Sequence, residues 1–464
     1  MSTSIRSELP RELRSVTRLA VPVVLGQLCA MGMNVVDTLM AGRHSAHALA
    51  VVGVGSAIWT LVIIALLGFL LAVPPMVSEL DGAGRRERIA ALVSQSIWLA
   101  LLLGAVLFFA VRNAGPLLTW MKVDPLLVPD VVAFLRILSF GTPALAMFFA
   151  LRYFSEGIGY TRATLYFSLL GIALMLPIGY VLVFGHFGFA AMGARGCALA
   201  LLISLWLQII AFVIFVLWHP IYRDIELTRR FERPRWSEMR HLLALGLPIS
   251  FMVLMEGSLF IVSALLIGSL GTTAVAGHQI AINLASVAFM VPLGIGAATT
   301  VRVGNALGAG DRVRLRAAVV SGLMLALLSQ LLAASSMALF AHQLARLYTP
   351  DPAVVALAAQ LLIICAIFQF SDGLQAVAAS ALRGLQDARI PAVLTFLAYW
   401  PIGMSVGYWL AFHRGLGAFG MWWGLAAGLS ASAVFLLLRL WFQLRHRGVA
   451  ADVIPTFGSG QRSA

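Results

Sequence analysis

HPIYRDIELTRRFERPRWSEMRH, residues 219–241, is the longest polar stretch of the chain and falls at its middle. On both sides the sequence consists of apolar runs, and about 20 apolar residues suffice to cross a bilayer as a helix. Six such runs precede it, at 17–41, 51–78, 92–111, 128–154, 163–185 and 194–218. Six follow, at 241–267, 279–303, 317–341, 353–381, 391–411 and 418–443. The expected fold is an all-α polytopic membrane protein with twelve transmembrane helices in two pseudo-symmetric six-helix lobes. The expected domains are an N-lobe over 1–218, a cytoplasmic linker over 219–240, a C-lobe over 241–447 and a disordered cytoplasmic tail over 448–464.

Composition agrees. The 464 residues are 61% hydrophobic and 11% charged, whereas soluble domains carry roughly 25% charged residues. A soluble core could not hide this much apolar surface. The net charge of +13 is almost all arginine, and Lys122 is the only lysine. These charges cluster between apolar runs, which points to membrane topology and not to nucleic-acid binding. With the N-terminus inside, 25 basic residues fall on the inner side and 6 on the outer, with Arg136 left within a run. Both termini are therefore expected in the cytoplasm, the chain crossing the membrane repeatedly. Residues 1–18 are polar and Arg-rich, and the first apolar run is too long for a signal core, so no cleavable signal is expected.

The halves repeat. At an offset of 226 residues Pro22 falls on Pro248, Gly42 on Gly268, and Asp81-Gly-Ala-Gly84 on Leu307-Gly-Ala-Gly310. Farther on, Gly157–Arg162 answers Gly384–Arg389, Pro177-Ile-Gly answers Pro401-Ile-Gly, and Gly193 and Gly196 answer Gly417 and Gly420. A unit of six spans enters twice from one side, giving parallel repeats about an axis along the membrane normal.

Chemistry within the spans rests on three carboxylates. Asp37 lies in MNVVDTLMAG, Glu256 in VLMEGSLF and Asp372 in FQFSDGLQ. An acidic group in a span is costly and usually faces a cavity. Burial makes a proton or a metal ion compete for such a group near neutral pH. That suits a coupled pump, and all three are read as cation- or proton-coupling residues. Gln27 and Asn34 lie on the helix of Asp37, Asn34 sharing its face. Asn283 and Ser286 could line the second half. Met31 and Met255 could form an adaptable wall. Most span aromatics, among them Phe260, Phe368 and Tyr399, read as packing or lipid-facing residues, with Phe289 kept as a cavity candidate. Glu79, Arg152, Arg302 and Arg383 at the cytoplasmic ends of spans read as snorkelling residues or gate ion pairs. His278 reads as structural. Cys29, Cys197 and Cys365 read as small buried apolar side chains. The sequence contains no GxxxxGK[ST] loop and no Cys/His set for zinc or haem. No catalytic residue, metal site, cofactor or enzymatic activity is expected.

Four segments together resemble the MATE (multidrug and toxic compound extrusion) transporters, NorM-like branch: VDTLMAGRHSAHALAVVGVGSAIW (36–59), AVAGHQIAINLASVAFMVPLG (274–294), VRVGNALGAGD (301–311) and FQFSDGLQAVAASALRGLQDARIP (368–391). The resemblance runs through essentially the whole chain. It implies twelve spans, two lobes, a place in a bacterial inner membrane and an antiporter that exports small lipophilic cationic drugs by alternating access in exchange for Na⁺ or H⁺. It places cation-site carboxylates at Glu256, Asp372 and Asp37. Two departures bear on the ion. Relatives usually carry Asn at two places of span 5 where this chain has Met175 and Gly179, and often an aromatic residue where Leu293 stands. Sodium prefers several oxygen ligands, whereas a proton needs one carboxylate. H⁺ is thus the expected coupling ion, with Asp37 as its site, and Na⁺ the alternative. Rival readings are a lipid-linked precursor flippase of the same superfamily and a non-transporting subunit of an energy-converting complex. The first calls for basic residues in the cavity, the second for lysine within spans. The expected partners are cationic drugs and the lipid bilayer, with no nucleic acid, and the chain is expected to act as a monomer.

Overall fold

The computed structural model describes residues 3–120, 123–227 and 229–446, and among them every regular element is helical. Lys122 and the tail over 448–464 lie outside the described residues. Six long helices come first: α1 (Thr3–His44), α2 (Ala46–Gly82), α3 (Arg86–Arg112), α4 (Val128–Ser139 continued as Thr142–Gly157), α5 (Arg162–Phe184) and α6 (Ala194–Trp218). Six more follow: α7 (Trp236–Gly268), α8 (Thr272–Gly308), α9 (Arg312–Leu339), α10 (Pro352–Gly384), α11 (Arg389–His413) and α12 (Gly417–His446). Eleven are long and apolar enough to cross a membrane as single helices, and α4 makes the twelfth as a pair bent by 46°.

The bend in α4 has a local cause. Pro143 offers no backbone N–H, so a carbonyl of the preceding turn loses its helical partner. Thr142 Oγ1 donates to the Ser139 carbonyl and to the Gly104 carbonyl of α3, both at 2.9 Å. A hydroxyl thus takes over at a break in the apolar layer, where water is absent. In α11 the strain of Pro401 is taken up differently, by π-helical turns over Ala398–Met404. Such turns displace side chains from their regular positions.

Polar side chains cap the loop ends. Ser45 starts α2, Asp311 starts α9 and Asp351 starts α10, each accepting from backbone N–H groups of the first turn. The repeat predicted from glycines is visible in the backbone. Gly84 and Gly310 end equivalent helices in the left-handed region, at φ +70° and +67°. A Cβ on Gly157 would lie 2.7 Å from Val77 of α2, and one on Gly384 would lie 2.9 Å from Val303 of α8. The same close helix approach is therefore built twice from the same small residue.

Contacts divide the chain into two units, Arg18–Pro234 and the N-terminal residues through Thr17 together with the chain from Arg235 onward. The sequence reading had placed residues 1–17 with the first six spans. Their assignment to the second unit has an electrostatic cause. Arg302 of α8 grips the Glu12 carboxylate with two hydrogen bonds, at 2.5 and 2.8 Å, and Arg314 adds a second cation at 3.6 Å. Within the first unit the linker is bound down. Its Glu232 N–H donates to Ser94 Oγ, and its Glu232 and Arg233 carbonyls accept from Trp98 and Gln95 of α3. Tyr222 inserts beneath it, its hydroxyl 2.8 Å from Ser155. Burial pushes the Tyr222 phenol upward in pKa, so it stays a neutral hydrogen-bonding group.

In the second unit α10 is the central helix. Of its most apolar stretch 61% is buried, the largest share among the eleven single-helix spans. Phe368 of α10 packs with Trp422, Leu425 and Leu429 of α12 in a continuous apolar core. That core fixes the rotation of α10 and with it the direction of Asp372.

Candidate functional site

Two helices stand apart by their exposure. In α1 only 17% of the most apolar stretch is buried, and in α7 only 22%, against 39–61% in the other single-helix spans. They are the equivalent first helices of the two repeats, and they carry Asp37 and Glu256. Their own units leave much of each helix uncovered, yet the carboxylate of α1 is turned inward.

Asp37 is 6% exposed. The α1 helix meets α5 through a line of small residues: a Cβ on Gly26 would touch Thr164, one on Gly32 would touch Ile172, and one on Gly179 would touch Met40 Sδ. From α6 the Cys197 thiol points at the Asp37 backbone carbonyl, 4.0 Å away. Asp37 Oδ1 is buried without a hydrogen-bond partner among the described residues. An unpaired buried carboxylate oxygen is costly unless a cation or proton takes the place of the lost water. Of the neighbouring candidates, Asn34 is exposed, and its backbone carbonyl accepts from the Thr38 hydroxyl. Gln27 and Met31 are half-buried. Gly179 stands against Met40, and Met175 is buried, so no amide oxygen is supplied from these span 5 positions.

In the second unit the structure brings Glu256 and Asp372 together. Glu256 Oε1 accepts from Gln375 Nε2 at 3.2 Å. Gln375 Oε1 in turn accepts from the Tyr399 hydroxyl at 3.1 Å. Asp372 lies one turn before Gln375 on α10, so the helix that reaches Glu256 also carries Asp372. Its Oδ1 is also buried without a partner. The site thus holds two acidic groups, an amide between one of them and a phenol, and an oxygen free to accept. Such a set can bind a cation or a proton and release it when the geometry changes.

Most of the remaining candidates make contacts of their own. Asn283 accepts from Tyr348 at 3.3 Å, and Ser286 donates to the Ile282 carbonyl of its own helix. Phe289 is half-buried on α8, and Met255 precedes Glu256 at the edge of the apolar core. His278 Nδ1 accepts from Trp422 Nε1 at 3.2 Å, a structural bond between α8 and α12. Arg152 pairs with Glu156 one turn along at 2.8 Å, and Glu156 also accepts from Thr164. Arg302 holds Glu12, Arg383 donates to Ser380 Oγ at 2.6 Å, and Glu79 is half-buried at the end of α2. Arg136 is exposed on α4.

Two members of the second site escaped the sequence reading. Tyr399 was read as a packing residue, and Gln375 was not singled out. Tyr399 is fully buried, but its hydroxyl is committed to Gln375. The signal for Gln375 was its position three residues after Asp372, one helical turn away. Tyr399 gave none, because the π-helical turns around Pro401 move it off the regular helical face. Polar residues of the first unit were missed too. Gln208 of α6 donates to the Phe167 carbonyl, and Ser204 Oγ is buried without a partner.

Comparison with known proteins places these features in a family. The MatE family model matches residues 22–181 and again 248–409, so its two copies start 226 residues apart, the offset of the repeat. The chain is 42% identical over 454 residues to the probable multidrug resistance protein NorM of Xanthomonas campestris pv. campestris, covering 98% of this chain and 99% of that one. It is 42% identical over 437 residues to the multidrug resistance protein PmpM of Pseudomonas aeruginosa, covering 92% and 91%. Among solved structures, the outward-facing conformation of a multidrug resistance MATE family transporter of the MOP superfamily matches with a TM-score of 0.86 at 19% identity, over 96% of this chain and 98% of that one. Twelve apolar spans, a doubled family match and near full-length identity above 40% agree, and the chain belongs to the MatE family.

Proposed function

We propose that this protein is a secondary active multidrug efflux antiporter that exports lipophilic cationic compounds in exchange for protons. The observation that carries the reading is the pair of buried carboxylates, Asp37 and Asp372, each with an oxygen lacking a hydrogen-bond partner among the described residues. In alternating access a drug enters from the inner side, a cation from the outer side binds a carboxylate, and the loss of negative charge releases the drug outward. Asp37 is the proton site of the first lobe, where Met175 and Gly179 supply no further oxygen ligand. Glu256 and Asp372 form the site of the second lobe, with Gln375 positioning Glu256. The near relatives named above are multidrug resistance proteins, which supports drugs as the substrate. The topology that goes with this reading has both termini in the cytoplasm of a bacterial inner membrane, the lobes divided at the linker, and a monomer as the working unit. The protein is a transporter and not an enzyme.

A specific observation favours a second reading, Na⁺ coupling. Gln375 bonds Glu256 and lies one turn from Asp372, so three oxygen-bearing side chains come from two neighbouring points, and Na⁺ binds such sets. A lipid-linked precursor flippase would need free cationic groups inside the spans, but buried Arg152 is neutralised by Glu156. Dye efflux from proteoliposomes given a pH gradient and no Na⁺ tests the proposal. Efflux under those conditions supports proton coupling. Its absence, with efflux restored by a Na⁺ gradient, transfers the role to sodium.

A further inference from the structure

The bound-down linker roofs a space whose lining includes none of the three span carboxylates. Ile97 of α3, Met147 and Leu151 of α4, Val213 of α6, and Leu227 and Phe231 of the linker surround about 390 Å³. Every lining side chain is apolar, and the volume lies within the range of small-ligand sites. Leu217 and Phe231, on its rim, are 48% and 44% exposed, so the space is open for entry. A second space of about 250 Å³ adjoins it, sharing Val216, Leu217 and Leu227. This one is polar, walled by Arg223, Arg229, Glu226 and Tyr222.

The charge there is positive. Glu226 lies 3.6 Å from Arg229 and 3.2 Å from Arg230, so two guanidinium groups share one carboxylate. Asp224 is engaged by Arg86 at 3.4 Å. Arg223 forms no ion pair among the described residues. The polar space sits just past Trp218, where α6 ends, and the apolar space runs back along α3, α4 and α6 into the membrane layer. An apolar slot under a cationic mouth at a membrane surface matches one kind of molecule.

We propose that the two spaces bind one anionic phospholipid, its acyl chain in the apolar slot and its phosphate on Arg223 and Arg229. A guanidinium offers a planar fork of donors that fits phosphate oxygens. Basic pockets between spans select anionic headgroups through the same attraction. A zwitterionic lipid brings the same chain and phosphate, but its own cation opposes Arg223. A cationic drug is repelled at the mouth. The bound lipid adds its chain to the contacts of Leu227 and Phe231 and so holds the linker onto the first unit.

Native mass spectrometry of the full-length protein in detergent, titrated with phosphatidylglycerol or phosphatidylcholine of equal chain length, tests this. One phosphatidylglycerol should remain bound, retained about tenfold more tightly than phosphatidylcholine. The double variant R223Q/R229Q should lose that preference while still taking up both lipids weakly. The variant V213W, which fills the slot, should lose the tightly held lipid. Arg223 is exposed, so R223Q alone serves if the double variant does not fold, and it should reduce the preference several-fold. Equal retention of the two lipids by the wild type overturns the proposal. So does an unchanged preference in R223Q/R229Q, or in R223Q where that stands in for it, or a tightly held phosphatidylglycerol in V213W.

Discussion

The side-chain amide of Gln375 donates to the Glu256 carboxylate across 3.2 Å, linking α10 to α7. The same amide accepts from Tyr399 on its other side, so its orientation is fixed. A carboxylate that must gain and lose a cation needs a partner that stays in place through both states, and a neutral amide can do this without carrying charge itself.

Tyr399→Phe removes the hydroxyl that orients Gln375. A buried hydrogen bond is worth about 1 kcal/mol net, so the variant should fold with thermal stability lowered by about that amount. Its transport rate should fall further than its stability, because the amide is then free to turn away from Glu256. Unfolding in detergent, measured beside dye efflux at matched protein levels, separates the two. Efflux equal to wild type would remove Gln375 from the site.

Glu256→Gln and Asp372→Asn each make permanent the neutral form that a bound proton creates. Active efflux should cease in both, while expression and drug binding remain. Asp37→Asn should do the same if the first lobe carries the proton. Normal efflux by all three variants in an efflux-deficient host would end the coupling account.

The Arg152–Glu156 pair is nearly solvent-free, its side chains 5% and 3% exposed. Arg152→Met alone leaves a buried carboxylate without its cation and should cost about 3 kcal/mol or more. Arg152→Met with Glu156→Gln removes both charges and keeps an acceptor for Thr164, so it should recover most of that loss. A double-mutant cycle on thermal unfolding reads this directly. Equal destabilisation by the single and the double variant would mean that packing, not charge, sets the cost.

Helices α11 and α12 approach through glycine. A Cβ on Gly424 would come 2.3 Å from Gly407 Cα and 2.5 Å from its nitrogen, both backbone atoms that cannot step aside. Gly424→Ala should therefore cut folded yield severely. Gly53→Ala, with nothing within 4 Å, is the matched control and should leave yield unchanged. Size-exclusion profiles after detergent extraction compare them.

Residue order alone settled much of this protein. Apolar runs of spanning length, the polar stretch at 219–241 and the recurrence of Gly84 at Gly310 and Gly157 at Gly384 are local or periodic signals. Lipid leaves the backbone no alternative to helices over such runs, so the fold class was legible. The three acidic residues stood out because a charge in an apolar run is rare. Tertiary structure decided which of these polar groups meet. Glu256 and Asp372 are 116 positions apart in the chain, and only the packing of α7 against α11, with Gln375 reaching from α10, joins them through Gln375 and Tyr399. Whether Arg302 guards a gate or binds Glu12, 290 positions away, is likewise set by docking and not by composition. Helix formation is decided within a few residues of chain, whereas a hydrogen bond between helices depends on rotations and tilts that the whole core fixes at once.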